Sequence, residues 1–436
     1  MAQKFYSTAS AGRFVDLKQA VLRSLPSDSG LYMPAEVPRP DEVLQPGWRE
    51  WSFAELSYRV ASAFFKGSVP EQDLREMVGQ AINFDAPLVE IAEGMNILEL
   101  FHGPSLAFKD FGARFMARLM GWLTREDDRE LTVLVATSGD TGGAVASAFH
   151  RVTGTRVVVL YPSGKVSALQ EKQLTTLGGN VTALEVRGSF DDCQRLVKAA
   201  FLDETLSEKL NLTSANSINI ARLLPQAFYY FRAAQQMPEE SKPVFVVPSG
   251  NFGNLTAGLL ARQMGLPVSH FVAATNLNDV VPAYLRSGHY EPRSSLPTIS
   301  NAMDVGAPSN FARILELHGR KHSRVTDQIS GFHFDDHATR EAIREVRETT
   351  GYLIDPHGAV GYLAAQQWRR DSPEDEMVIL ETAHPSKFLD VMEEELGSGA
   401  VEIPERLACL AAREKIAIEL EAQEGPFLDW LSGMIS

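Results

Sequence analysis

Six short apolar runs recur through this chain, at 131–136, 156–161, 181–186, 243–247, 268–273 and 377–381. Most are built from Val, Ile and Leu, and turn residues bound them. Runs of this kind suit strands buried on both faces of a parallel sheet. Helical patterns fall between them at 142–151, 167–177, 190–202 and 254–264. Strand-helix alternation argues for α/β architecture. Ligands of open α/β sheets sit beyond the carboxyl ends of the strands, so chemistry is expected in the loops that follow these runs.

At 436 residues the chain can hold two or three domains and a large buried core. Residues 1 to about 95 read as a mostly helical N-terminal region, with an amphipathic helix over 15–25 closed by Pro26. Residues 401–436 read as a C-terminal helical extension, a loop followed by one charged helix over 405–421. With 41 basic and 56 acidic residues the formal charge is −15, which argues against nucleic acid or an anionic membrane as the main partner. No apolar run approaches the length of a membrane span. The two cysteines, Cys193 and Cys409, have no CxxC spacing and suggest a reducing compartment. The first residues carry no signal core, and the expectation is a cytoplasmic protein.

Residues 101–112 (FHGPSLAFKDFG) place Lys109 in the first turn of an expected helix, among apolar neighbours. The positive end of the helix dipole and the apolar surroundings both disfavour the cation. A neutral amine is a nucleophile toward carbonyl carbon. A solvated helix lysine with its stem lying on apolar surface is the competing reading.

Four loops carry further candidates. Residues 137–143 (TSGDTGG) follow the strand at 131–136 and lead into a helix, either as a receptor for a carboxylate or phosphate or as a hydroxyl-capped turn. Residues 248–254 (PSGNFGN) follow the strand at 243–247, and two glycines let backbone N–H groups approach a ligand, which reads as a phosphate cradle. The cradle has neither GxGxxG nor GK[ST], so it is neither a dinucleotide fingerprint nor a P-loop. In residues 214–222 (SANSINIAR), Ser217 and Arg222 can present a hydroxyl and a guanidinium to an anion, or simply belong to a capped helix. Residues 380–388 (LETAHPSKF) follow the last strand, where a hydroxyl can meet a ring nitrogen or merely close a turn. Residues 333–337 (HFDDH) have a metal-like histidine spacing, but their aspartates read better as caps for a helix near Ala338, and no metal is expected. Ser138 and Ser249 lack the GxSxG elbow of a serine nucleophile.

Taken together, 101–112, 136–145, 216–222, 249–254 and 382–388 resemble the tryptophan-synthase-β-like (fold type II) family of pyridoxal phosphate enzymes. Within it the chain is similar to the threonine synthases of the bacterial and fungal type. Residues 301–306 (NAMDVG), 308–310 (PSN), 355–358 (DPHG), 6–8 (YST) and 30–34 (GLYMP) also fit, so the resemblance runs from residue 6 to about 390. It implies two open, twisted, mostly parallel sheets flanked by helices, in a large cofactor-binding domain of 96–130 with 217–400 and a small domain of 131–216. It implies pyridoxal 5'-phosphate joined to Lys109. Ser249, Gly250, Asn251, Phe252, Gly253 and Asn254 would hold the cofactor phosphate, and Thr382 would face the pyridine nitrogen.

Thr137, Ser138, Gly139 and Thr141 would bind the substrate carboxylate, with Thr141, Ser217 and Arg222 available to a substrate phosphate. Asp140 falls near the cofactor phenolic oxygen, where many relatives carry asparagine. A carboxylate there repels a phenolate, so Asp140 is either protonated or turned toward a donor. The implied reaction converts O-phosphohomoserine and water to threonine and phosphate, in a monomer or homodimer. A threonine dehydratase, a phospho-amino-acid lyase, or a non-catalytic binding protein on the same fold are the alternatives.

Overall fold

The computed structural model describes residues 2–435 apart from Ser138. Two open sheets dominate it, as the alternation of runs predicts. The larger runs Ile329–His333, His270–Thr275, Val244–Pro248, Met377–Glu381, Met95–Glu99, Leu88–Ala92, parallel throughout except for the last antiparallel pair. The smaller runs Ile418–Glu421, Val181–Arg187, Thr155–Pro162, Leu131–Ala136, Leu212–Ser214 and is wholly parallel. In the larger sheet Val246 sits between Val272 and Ile379, and every residue of the central strands Val244–Pro248 and Met377–Glu381 is buried. Central strands with both faces covered by helices carry apolar residues on both faces, which is why these runs do not alternate.

The helix Lys109–Leu123 is apolar around most of its circumference, with Phe111, Phe115, Met116, Leu119 and Met120 fully buried. A helix of that character has to lie inside the molecule. It packs against the helix Asp140–Phe149 of the smaller sheet, against Ile220–Leu223 and against Glu71–Ala81 of the N-terminal region. Lys109 therefore starts a helix wedged between the two sheets. Gly112 permits that wedge, since a Cβ there would meet the Arg222 carbonyl oxygen at 2.5 Å.

Three expectations need correction. The single helix over 405–421 is instead a helix Glu405–Ala411, a strand Ile418–Glu421 and a helix Glu424–Ser432. Residues 418–421 alternate apolar and acidic, a period of two. Leu420 packs on the small-sheet core while Glu419 and Glu421 pair with Arg187 of the neighbouring strand. The N-terminal region also contains an antiparallel sheet of Ser10–Val15, Phe5–Ser7 and Tyr32–Pro34. Of residues 15–25 only Leu17–Arg23 is helical, starting at the capping box of Asp16 and Gln19. Finally, Leu88–Ala92 belongs to the large sheet, so the mostly helical region ends before residue 95.

Candidate active site

A cavity of about 830 Å³ opens between the two sheets, at the carboxyl ends of Leu131–Ala136, Val244–Pro248 and Met377–Glu381. Lys109 lies in its wall because the chain before it is tied down at several points. The Phe108 N–H donates to the Thr382 carbonyl at 2.9 Å, the His384 N–H to Leu106 at 3.0 Å, and Ala107 bridges Ala383. Leu106 sits at φ +59°, a strained left-handed conformation that turns the chain into the helix. The buried Asp110 carboxylate accepts from the Ser105 N–H at 2.7 Å, and Gly103 leaves room for it. Lys109 keeps only 14% of its side chain exposed. Burial drives its amine down from 10.5 to about 8, opposed by Asp140 and reinforced by Lys387 and Arg222.

Asp140 opens the helix Asp140–Phe149, where the dipole favours an anion. Of the two alternatives left by the sequence, it is turned toward donors. Its Oδ1 accepts from Lys387 Nζ at 2.6 Å and Gln170 Nε2 at 2.8 Å, while Oδ2 stands 3.9 Å from Lys109 Nζ. Burial alone would raise its pKa; Lys387, then Lys109, overcome that and hold the carboxyl well below the usual range. Lys387 and Gln170 escaped the sequence reading. The only signal for Lys387 was a lysine in the turn directly after the last apolar strand.

The cradle lies between the strand Val244–Pro248 and the helix Gly253–Gln263, whose first turn faces the cavity. Ser249, Gly250, Asn251, Phe252, Gly253 and Asn254 all line it. Gly250 passes so close to the 301–306 loop that a Cβ would stand 2.7 Å from the Ala302 carbonyl oxygen. Phe252 adopts φ +60° to start the helix, and Asn251 ties the cradle to two other loops, donating to Ser217 Oγ at 2.6 Å and accepting from the Ser309 N–H at 2.6 Å. Asn254 is the informative member. Its Oδ1 accepts from both Tyr229 and Tyr230 hydroxyls, at 2.7 and 2.8 Å. With Oδ1 held by these two hydroxyls, Nδ2 is the free end, buried and without a partner among the described residues.

Arg222 lines the same cavity. Nη1 donates to the Ala215 carbonyl at 2.7 Å, while the buried Nε has no partner among the described residues. Burial lowers it to about 10, still a cation at neutral pH. Ser217, Thr141 and Thr382 are also in the wall. Beneath Thr382, the fully buried Glu381 carboxyl is pushed well up by burial and by Asp355. His357 accepts from the Ala302 N–H through Nε2 at 3.2 Å, which leaves Nδ1 to donate to Asp355 at 3.0 Å.

The 137–141 loop is held by the hydroxyl of its first residue. Thr137 Oγ1 accepts from the Gly139 and Gly142 N–H groups, at 2.9 and 2.8 Å, and donates to the Gly139 carbonyl at 3.2 Å. Thr137 shapes the loop through these bonds and also lines the cavity. Gly139, at φ +140°, packs toward Gln170. Ser138 lies outside the described residues. Residues 333–337 behave as the cap expectation requires, Asp335 accepting from the Ala338 N–H at 2.9 Å.

A depressed lysine amine, a helix N-terminus with an orphaned amide donor, and a buried guanidinium with a free N–H together fit an aldehyde-bearing, phosphorylated cofactor. The comparisons agree. Residues 96–382 match the family "Pyridoxal-phosphate dependent enzyme", residues 4–82 "Threonine synthase N terminus" and residues 358–425 "Threonine synthase, C-terminal". A threonine synthase of Serratia marcescens is 44% identical over 433 residues, 99% of either chain. The crystal structure of threonine synthase from Escherichia coli superposes with a TM-score of 0.90 at 42% identity, covering 99% of this chain and 100% of that one. The pyridoxal-phosphate-bound threonine synthase from Brucella melitensis does so with 0.92 at 35% identity, covering 99% of each. The fold type II architecture and the pyridoxal phosphate cofactor follow, and the chain belongs to the threonine synthase family.

Proposed function

We propose that this protein converts O-phospho-L-homoserine and water to L-threonine and phosphate, with Lys109 as the cofactor lysine. The observation that carries the reading is the shared cavity, in which a lysine amine lowered to about 8 faces one cradle for a cofactor phosphate and a separate buried guanidinium. Two anion-binding subsites match a phosphorylated cofactor acting on a phosphorylated substrate.

Residues 249–254 would hold the cofactor phosphate through N–H groups and the Asn254 amide, and Thr382 would meet the pyridine nitrogen with a neutral hydroxyl. Asp140 would present a fixed anion to the cofactor's phenolic side, its charge compensated by Lys387. Pyridoxal phosphate, when bound, supplies an electron sink that stabilises negative charge developing on substrate carbon. Lys109, once free of the cofactor aldehyde, is placed to take the proton from substrate Cα, and an amine with a pKa near the working pH suits that task. Arg222, Ser217 and Thr141 bind the substrate phosphate and hold it as it leaves Cγ. Arg222 suits this because its fork of donors matches phosphate oxygens. Backbone N–H groups of the 137–141 loop would orient the substrate carboxylate; a proton leaves Cβ as phosphate leaves Cγ, Cγ takes up a proton, water adds its hydroxyl at Cβ, and Cα is reprotonated.

The proposal extends to a cytoplasmic monomer or homodimer built from a large domain of 96–130 with 217–400 and a small domain of 131–216. Its acidic charge and two free cysteines support action on a free small molecule in a reducing compartment. No helix among the described residues is long and apolar enough to cross a membrane. The test is to incubate recombinant holoenzyme with O-phosphohomoserine and measure threonine, phosphate and 2-oxobutyrate. Threonine and phosphate should appear in equal amounts; 2-oxobutyrate as the main product, or phosphate without threonine, overturns the reading.

A further inference from the structure

Lys387 is an unusual place to spend a charge. It sits in the short turn Pro385–Phe388 after the strand Met377–Glu381, and only 1% of its side chain is exposed. A buried ammonium has to be compensated inside the protein. Its compensation is specific: Asp140 Oδ1 at 2.6 Å and the Ser105 carbonyl at 2.8 Å. Asp140 in turn commits the same oxygen to Gln170, at 2.8 Å, and leaves Lys109 the longer approach of 3.9 Å from Oδ2. Two lysines thus face one carboxylate, and the geometry awards it to Lys387.

The other groups around Lys109 do not replace that counter-ion. Arg222, from the helix Ile220–Leu223, repels an ammonium. Asp355, the cap of the helix Pro356–Arg369, attracts it but is committed to His357 and the Gly358 N–H. Asp110, the next residue along, turns its carboxylate to the Ser105 N–H. The Phe108 ring, 4.8 Å from Nζ, attracts a cation more weakly than a carboxylate does.

We propose that Lys387 is a positioning residue that takes Asp140 as its own counter-ion and thereby leaves Lys109 without a carboxylate of its own, so that its amine sheds its proton more readily and serves as a nucleophile. Lys387 touches neither cofactor nor substrate in this role. It acts through Asp140, whose charge, once paired with Lys387, holds the Lys109 proton less strongly. The inference rests on Lys109 being the cofactor lysine.

The experiment titrates Lys109 in the cofactor-free protein by trace acetylation with acetic anhydride across pH, reading the Lys109 peptide by mass spectrometry. The wild-type midpoint should lie at about 8. Lys387→Met hands Asp140 to Lys109 and should raise the midpoint by about one unit or more, whereas Lys387→Arg should restore it. The double variant K387M/D140N removes the pair as a unit and avoids a lone buried charge. It should stay within about half a unit of wild type, because Asp140 and Lys387 act on Lys109 in opposite senses and are removed together. If Asp140 serves Lys109 directly, the double variant drops by about a unit or more and the proposal fails. An unchanged midpoint in K387M, or an Arg variant shifted as far as the Met variant, also overturns it. Borohydride reduction of wild-type holoenzyme followed by peptide mapping keeps the two readings apart. A cofactor-labelled residue other than Lys109 refutes the proposed function, whatever the midpoints.

Discussion

Gly250→Ala tests whether the cradle's shape depends on a missing side chain. The new Cβ would lie 2.7 Å from the Ala302 carbonyl oxygen, 2.9 Å from Met303 Cα and 3.3 Å from Val305 Cγ2. The first two contacts are backbone, so no rotamer change can relieve them. One wall has to retreat by about 0.7 Å to reach ordinary contact. Overpacking of this size costs about 1–3 kcal/mol. Since the 301–305 segment also lines the cavity, the movement should reach the ligand as well. A misplacement approaching 1 Å is worth up to about 100-fold in rate. The matched control is Gly79→Ala, the same chemical change on an exposed face of the helix Glu71–Ala81, where a Cβ meets nothing within 4 Å. That substitution should stabilise by about 0.5–1 kcal/mol, the cost of glycine in a helix interior. Urea unfolding gives both stabilities, and pyridoxal phosphate titration with turnover gives the site effect. A Gly250→Ala protein as stable as wild type, with unchanged cofactor affinity and rate, refutes the steric argument.

Three further outcomes follow from particular contacts. The double variant Y229F/Y230F removes both donors that orient Asn254, and should weaken cofactor binding by about tenfold, one hydrogen bond's worth, measured by fluorescence titration. Glu381→Gln should cost less than about 1 kcal/mol at pH 7, because burial and Asp355 both push the carboxyl toward its neutral form, whereas Glu381→Ala should cost about 2–4 kcal/mol by stranding the Asp355 N–H and opening a cavity; equal losses in denaturant unfolding would mean Glu381 is ionised. Arg313, fully buried, donates to Tyr32 O, Ile218 O and Asn310 Oδ1, so Arg313→Met should lose about 3–5 kcal/mol by leaving three acceptors unpaired and should loosen the 310–311 turn behind the cradle, read by hydrogen exchange.

Most of the site could be read from the order of residues because it sits where strands end. The strands at 131–136, 244–248 and 377–381 are apolar at consecutive positions, and the glycine- and hydroxyl-rich segments after them are what a helix N-terminus requires. Lys109, the 249–254 cradle and the Ser217 to Arg222 loop are visible for that reason, and one cavity brings them together. The C-terminal strand Ile418–Glu421 was not visible. Four residues beside a helix carry too short an alternation to be told from helical periodicity, and only the open edge at Val181–Arg187 makes it a strand.

What the sequence by itself determined is the α/β class, the loops that bear chemistry and the family to which they belong. Those depend on local pattern, the period of apolar residues and the turn chemistry between them. The tertiary structure alone decided how the charges are shared. Asp140 and Lys387 are 247 positions apart, and nothing local distinguishes Lys387 from a lysine in a surface turn. Burial makes the difference. Out of water, a charge needs a partner at contact distance, and which carboxylate serves which lysine depends on a few tenths of a nanometre that only packing sets. The same holds for Thr137, whose hydroxyl accepts from the Gly139 and Gly142 N–H groups of its own loop, contacts that only the folded loop supplies.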